Sequence, residues 1–311
     1  MMATGYFFSH RHILGIDHLS ADDIDHILTT AESFKEISAR PIKKVPTLRG
    51  NTIINLFFEP STRTRLSFEV AAKRMSADTF SIAASTSSAT KGETLIDTAR
   101  NISAMHPDII IIRHAFSGAP HMLTRYVNAA VINAGDGTHE HPSQGLLDML
   151  TVREHKGRLE GLKIVIIGDI LHSRVAHSDI LGFTRMGADV FVYGPATLIP
   201  PDLDKLGATV CSSLREAVED ADVLMTLRIQ KERQNDPLLP SFREYANCFG
   251  VTREVASWAR NDALIMHPGP INRGIELMPD VADGPQSVIL DQVTNGVAVR
   301  MALLYLVMGN S

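Results

Sequence analysis

Cysteine is nearly absent: Cys211 and Cys248 are the only two in 311 residues, and neither stands in a CxxC or Cys/His ligand spacing. That argues against a disulfide framework and against a structural zinc site. Long apolar runs are missing too. No stretch approaches the roughly 18–20 apolar residues of a membrane span, and residues 1–12 carry Phe7 and Phe8 but no apolar core of a signal peptide. The expected setting is cytoplasmic, with no membrane partner. A surplus of positive charge is also lacking, since 30 Lys and Arg face 35 Asp and Glu for a net charge of −5. Bulk attraction to nucleic acid is thereby disfavoured, and any cation needed for an anionic ligand has to be local. The GxGxxG spacing of dinucleotide sites does not occur at Gly168-Asp169-Ile170-Leu171-His172-Ser173, which argues against NAD and against a nucleotide-dependent dehydrogenase. The thirteen histidines are scattered and form no tract.

What is present is an ordinary globular composition, 44% hydrophobic and 21% charged, at a length suited to about two domains. Apolar runs alternate with segments of helical spacing, the pattern of helices layered on parallel sheets. In the first half the spacing predicts strands over 52–58, 80–83, 108–112 and 130–133, and helices over 20–38, 64–76, 93–105 and 142–155. Ser20 followed by Asp22 and Asp23 suits a helix N-cap. A second doubly wound unit starts at the run 163–169, whose strand ends in Gly168-Asp169. It continues through a helix over 174–186, a strand over 189–193, and shorter strands over 208–210, 221–226, 248–251 and 263–266. A last helix is predicted over 292–308, with Asn295-Gly296 marking a kink or an entry. The fold class is α/β, with two doubly wound parallel-sheet domains and the active site in the crevice between them.

The most informative motif is Glu59-Pro60-Ser61-Thr62-Arg63-Thr64-Arg65, which follows the first strand and opens a helix. Two arginines then occupy a first helical turn, where the macrodipole already places partial positive charge. A bound anion resolves the conflict, held by backbone N–H groups, hydroxyls and a guanidinium. The plain alternative is a surface turn whose arginines pair with Glu59 and Glu69.

Ligands of parallel α/β sheets bind beyond the carboxyl ends of strands. Arg113 follows the run 108–112 there, and His141 and Gln144 follow the strand 130–133 and the turn Gly135-Asp136-Gly137. If these strands are neighbours, one crevice collects arginines, a histidine, a glutamine and hydroxyls but no carboxylate base. Such a set suits an oxyanion and a polarised carbonyl better than a Ser-His-Asp triad. His139-Glu140-His141 lies in a loop before Pro142 without further ligand spacing, which disfavours a metal. In the second half Arg174 begins a helix, Arg228 and Gln230 follow the run 221–226, and His267-Pro268-Gly269-Pro270 follows 263–266. The two arginines fit a ligand bearing carboxylates; pairing with Asp169 or Glu232 is the even alternative. The small, polar stretch 83–92 reads as a mobile loop whose cation, Lys91, suits a lid.

In sequence order, Phe57-Phe58-Glu59-Pro60-Ser61-Thr62-Arg63-Thr64-Arg65, Lys91-Gly92-Glu93-Thr94, Arg113-His114, His141-Pro142-Ser143-Gln144 and His267-Pro268-Gly269-Pro270 resemble the transcarbamoylases, over essentially the whole chain. The Lys-Gly-Glu-Thr segment and 228–233 resemble the aspartate-specific members, and the His-Cys-Leu-Pro of the ornithine-specific ones is replaced by His-Pro-Gly-Pro. The resemblance implies a carbamoyl-phosphate-binding domain over 1–145, an aspartate-binding domain over 146–290, and a C-terminal helix over 291–311 packing back on the first. It implies carbamoyl phosphate on Ser61, Thr62, Arg63, Thr64, Arg113, His141 and Gln144, with Gly269 and Pro270 at its carbamoyl end. Arg63, Thr64, Arg113 and His141 are the implied catalytic set. L-Aspartate falls to Arg174, Arg228 and Gln230. The family's trimers share active sites, so Ser87 (or its neighbours Ser85 and Ser88) and Lys91 are expected to serve the adjacent subunit. Arg65 is expected to pair with a carboxylate such as Glu69. No cofactor or metal is implied, and the pathway is pyrimidine biosynthesis. A trimer acting alone and one joined by a regulatory chain or a dihydroorotase-like partner both remain compatible. So do an ornithine-using enzyme and a catalytically silent structural homologue as alternative readings.

Overall fold

The computed structural model describes residues 6–83, 92–229 and 241–309. The chain divides into two compact units, one formed by residues up to 147 together with those from 294, the other by 148–293.

In the first unit the order is α1 (Ala21–Ala39), β1 (Thr52–Phe57), α2 (Thr62–Arg74), β2 (Asp78–Ala83), α3 (Leu95–Ser103), β3 (Ile109–His114), α4 (Ala119–Leu123), β4 (Ala130–Asp136) and the start of α5 (Pro142–Lys156). Among the described residues the strands form a parallel sheet ordered β2-β1-β3-β4. Ile109 to Ile112 of β3 are wholly buried, as continuous apolar strands covered on both faces must be. Each such side chain contributes about 1.5–3 kcal/mol of burial. Ile110 and Ile112 pack with Ile54, Leu56 and Val131, and with Ala99, Ile102 and Leu123 from the covering helices.

The expected cap at Ser20 is borne out as a reciprocal box. Ser20 Oγ accepts the Asp23 N–H at 3.1 Å, and Asp23 Oδ2 accepts the Ser20 N–H at 2.8 Å. Tyr6 Oη donates to the same carboxylate at 2.6 Å.

The second unit runs through β5 (Lys163–Ile167), α6 (Arg174–Arg185), β6 (Asp189–Tyr193), β7 (Ala208–Val210), α7 (Leu214–Val218), β8 (Val223–Thr226), α8 (Phe242–Phe249), α9 (Arg253–Ala256), β9 (Leu264–Met266) and α10 (Pro279–Ala282). Its parallel sheet is ordered β7-β6-β5-β8-β9. The expected α/β class with two doubly wound parallel sheets is therefore borne out. The last helix, α11 (Ile289–Met308), passes from the second unit into the first. Within the first unit its Tyr305 ring meets Phe34 edge-on at 5.8 Å, and its Arg300 guanidinium lies 5.0 Å from the Phe68 ring centroid.

Several expected boundaries are corrected. The strand expected at 248–251 does not form: Cys248 belongs to α8, whose Ser241 side chain accepts the Glu244 N–H at 3.1 Å and whose Tyr245 and Phe249 rings stack at 5.2 Å. Val251 keeps a single bridge to Leu277. Arg113 is not beyond its strand but within β3, paired with Phe57. Asn295-Gly296 does not open the last helix, which begins earlier, at Ile289. The helix expected over 93–105 is shorter: α3 covers Leu95–Ser103, with Thr94 capping it by accepting the Asp97 N–H at 3.2 Å.

Candidate functional site

In the first unit, β1, β3 and β4 are adjacent, so the residues at their carboxyl ends share one edge of the sheet. Ser61 is the N-cap residue of α2, extended at φ −159°, and its side chain makes no capping hydrogen bond. No acidic residue occupies the first turn, where Arg63 and Thr64 sit. Thr64 is buried and its carbonyl accepts Ser67 Oγ at 3.0 Å. The first turn thus offers backbone donors, hydroxyls and a cation at one point, the arrangement that binds an oxyanion.

Arg113 is fixed from both neighbouring strands. The Phe58 N–H donates to its carbonyl at 2.8 Å, and its guanidinium donates to the Ala134 carbonyl at 3.3 Å. Its Nε lies 3.4 Å from Glu59 Oε2. The ladder register shifts between Ile112 and His114, an irregularity of the kind that re-aims a side chain at a strand end. Glu59 is therefore a partner of Arg113. Glu69 accepts Ser81 Oγ, and among the described residues Arg65 makes no ion pair with it. The expected Arg65–Glu69 pairing is corrected, because Ser81 on β2 takes that carboxylate.

After β4 the chain turns on a buried polar network. Asn133 Nδ2 donates to Asp136 Oδ1 at 2.7 Å, and Asp136 Oδ2 accepts the Gly118 N–H at 2.7 Å. Burial pushes the Asp136 carboxyl up, but hydrogen bonds from His139, Asn133 and Gly118 outweigh it and hold the carboxyl below its ordinary range. The bond to Asp136 in turn raises His139, against its burial. Glu140 accepts the Ile16 N–H at 2.7 Å and the Asp17 N–H at 3.3 Å. His139, Glu140 and His141 thus point to separate tasks. His141 is buried directly before Pro142, the first residue of α5, and its carbonyl accepts the Gln144 N–H at 2.8 Å. Gln144 is buried in that first turn.

The second unit repeats the plan at the ends of β5, β8 and β9, again adjacent strands. Gly168 turns the chain after β5 at φ 135°, where an added Cβ would meet the Leu227 Cβ and carbonyl and Tyr245 Oη at 3.1 Å. Asp169 is fully buried and closes on His172 Nδ1 at 2.9 Å. That occupies the carboxylate weighed as a partner for Arg174. Ser173 caps α6 by accepting the Ala176 N–H at 3.1 Å, which sets the buried Arg174 as its first residue. Arg228 follows β8 and is half-buried. Gln230, Glu232, Lys91 and Ser85, Ser87 and Ser88 lie outside the described residues.

After β9, Gly269 adopts φ 70°, in the left-handed region that favours glycine, and a cis peptide joins it to Pro270. The Gly269 N–H donates to His267 Nδ1 at 2.7 Å, so Nε2 carries the ring proton and donates it to Glu276 Oε1 at 3.1 Å. The same oxygen accepts the Asn272 N–H at 2.5 Å. Gln292 Oε1 accepts the His267 N–H at 3.0 Å. Sequence reasoning weighed Glu59 only as a partner of the motif's own arginines and gave no supporting task to Asp136, Glu140, Glu276 or Gln292. Glu59 stood inside a motif that could have flagged it; Glu276 and Gln292 carry no local signal.

Two parallel-sheet units, each gathering cations and backbone or hydroxyl donors beyond adjacent strand ends, define an α/β protein built for small anionic ligands. Comparison with known proteins narrows the class. Residues 11–154 match the family model of the aspartate/ornithine carbamoyltransferase carbamoyl-P binding domain, and residues 160–307 match its Asp/Orn binding domain. The aspartate carbamoyltransferase catalytic subunit of Desulfotalea psychrophila is 67% identical over 310 residues, covering 100% of this chain and 98% of the relative. That of Geotalea daltonii is 64% identical, covering 97% of each. Among solved structures, ornithine carbamoyltransferase from Pyrococcus furiosus superposes with a TM-score of 0.88 at 32% identity, covering 99% of this chain and 100% of the other. Aspartate transcarbamoylase from Trypanosoma cruzi, in complex with carbamoyl phosphate and aspartate, superposes at 0.87 with 29% identity, covering 96% and 97%. The chain belongs to the aspartate/ornithine carbamoyltransferase family.

Proposed function

We infer that the chain transfers the carbamoyl group of carbamoyl phosphate to the α-amine of L-aspartate, giving N-carbamoyl-L-aspartate and phosphate. The observation that carries this is the full-length identity of 67% to a catalytic subunit named for that reaction. The ornithine enzyme shares the fold at 32% identity, and the His267-Pro268-Gly269-Pro270 loop lacks the cysteine expected of ornithine-specific members.

In this reading Ser61, Thr62, Arg63 and Thr64 hold the phosphate through the first turn of α2, with Gln144 and the neighbouring subunit's loop around Ser87 completing its contacts. Thr64, Arg113 and His141 face the carbamoyl oxygen and stabilise the charge that develops on it as the neutral amine attacks the carbamoyl carbon. The C–N bond forms, the C–O bond to phosphate breaks, and the departing phosphate dianion accepts the amine proton. Backbone at Gly269 and Pro270 orients the carbamoyl group. Arg174, Arg228, Gln230 and Lys91 of a neighbouring subunit clamp the aspartate carboxylates. Much of the acceleration then comes from holding two anions in an attack geometry. The half-buried ion pair of Arg113 with Glu59 supports a guanidinium held in readiness at the strand end. A homotrimer acting in the cytoplasm for pyrimidine synthesis completes the proposal.

The test is phosphate release by the purified chain, with light scattering to establish its assembly. Aspartate-dependent release from a trimer is expected. Release from a fully active monomer contradicts the shared site, and silence toward every amine contradicts catalysis.

A further inference from the structure

Two carboxyl groups that the proposed reaction does not use are buried together in the second unit. Asp148 on α5 and Asp179 on α6 are both fully inaccessible. Neither oxygen of Asp179 receives an N–H or O–H donor among the described residues. What acts on Asp179 is the Asp148 carboxyl, by hydrogen bonding and by charge, and no other charged side chain among the described residues contributes. Two touching carboxylates cannot both ionise in a dry interior. Burial first, and the Asp148 charge second, keep Asp179 protonated far above the ordinary carboxylate range.

Asp148 keeps the acceptor role. Its Oδ1 takes a hydrogen from Gln292 Nε2 at 2.7 Å. With the Gln292 amide nitrogen committed to that carboxylate, its carbonyl faces the other way and accepts the His267 N–H at 3.0 Å. The relay therefore runs from α6, whose first residue is Arg174, to the loop carrying Gly269 and Pro270. Each link has a fixed direction of donation.

We propose that Asp179 is a positioning residue: as a neutral donor to Asp148 it keeps that carboxylate turned toward Gln292, and so holds the 267–270 loop in place for the carbamoyl group. The role rests on the carbamoyl-transfer reading above. Asparagine at 179 can supply the same donor without ever ionising, whereas leucine fills similar volume with no donor.

The experiment compares the full chain with Asp179→Asn and Asp179→Leu in two measurements. The first is substrate saturation near neutral pH. Asp179→Asn is expected to stay within about twofold of the parent, and Asp179→Leu to raise KM by about tenfold, the size of a lost hydrogen bond to a charged group. The second is Tm from pH 6 to 9. The parent's proton is bound more tightly folded than unfolded, so its stability falls as pH rises through this window toward the folded value. Asp179→Asn lacks this loss, so its Tm should gain on the parent's as pH rises. A Tm difference that stays flat with pH overturns the shared proton, and equal KM values for Asn and Leu overturn the positioning role. If Asp179→Leu fails to fold, the comparison of parent and Asn decides by the pH trend alone. A parent with no phosphate release would count against the function, and the Tm series would still test the acid pair.

Discussion

In the proposed reading the two units meet the same task, an anion at the ends of three adjacent parallel strands, with different materials. The first uses a helix start and short hydroxyl side chains: Ser61 caps α2 without spending its oxygen, and Thr64 is buried one turn on. Its single strand-borne guanidinium, Arg113, rests against Glu59. The second places arginines where the first places hydroxyls, with Arg174 buried at the head of α6 and Arg228 after β8. A phosphate presents many oxygens around one centre and suits a ring of backbone and hydroxyl donors. Separated carboxylates suit individual guanidinium forks. The difference between the units thus reads as a difference between their ligands.

Substitution should separate the halves kinetically. The largest effect is expected for Arg63→Ala and Arg113→Ala, each lowering kcat by about 10²–10³, as for a lost oxyanion donor. Steady-state rates at saturating aspartate check this, and near-normal turnover in both would dissolve the assignment of the first unit. Next come Arg174→Ala and Arg228→Ala, expected to raise the aspartate KM about tenfold or more, the scale of a lost charge-assisted bond, with a smaller loss in kcat. An unchanged aspartate saturation curve would remove the second half of the comparison.

The helix caps carry the contrast into stability. Burial alone would raise the Asp23 carboxyl, but hydrogen bonds from Tyr6, Ser20 and His10 bring it down to about 2. A depressed carboxyl contributes stability that is present above its unfolded value and lost as pH falls toward 2. Asp23→Asn should therefore be less stable than the parent at neutral pH, and the gap should close during acid titration followed by circular dichroism. In the second unit the α8 cap is a serine hydroxyl. Ser241→Ala should cost about 1 kcal/mol, by an amount that stays constant over the same acid range. A gap that narrowed alike for both variants would show that the Asp23 charge is not the cause.

Much of the fold was legible because burial writes itself into continuous apolar runs: 189–193 matches β6 residue for residue, and 163–169 contains β5, which ends two residues sooner, at Ile167. The positions of Ser61 and His141 after β1 and β4 were legible for the same reason, whereas Arg113, expected beyond its strand, lies within β3. What stayed hidden depends on contacts distant in sequence. Glu59 reaches across 54 positions to Arg113, and Gln292 reaches Asp148 across 144. The mistaken strand at 248–251 arose because Cys248, Phe249 and Val251 suit either structure locally. The cap at Ser241 and the Tyr245–Phe249 stack decide for the helix. Arg65 shows the same limit, since its expected partner Glu69 is claimed by Ser81 from the adjacent strand.

The central claim is that the first unit delivers carbamoyl phosphate and the second selects aspartate. Phosphate release from carbamoyl phosphate, measured with aspartate, with ornithine and with no amine, tests it most directly. Release that requires aspartate and ignores ornithine is the predicted result; release driven by ornithine, or independent of any amine, would contradict it.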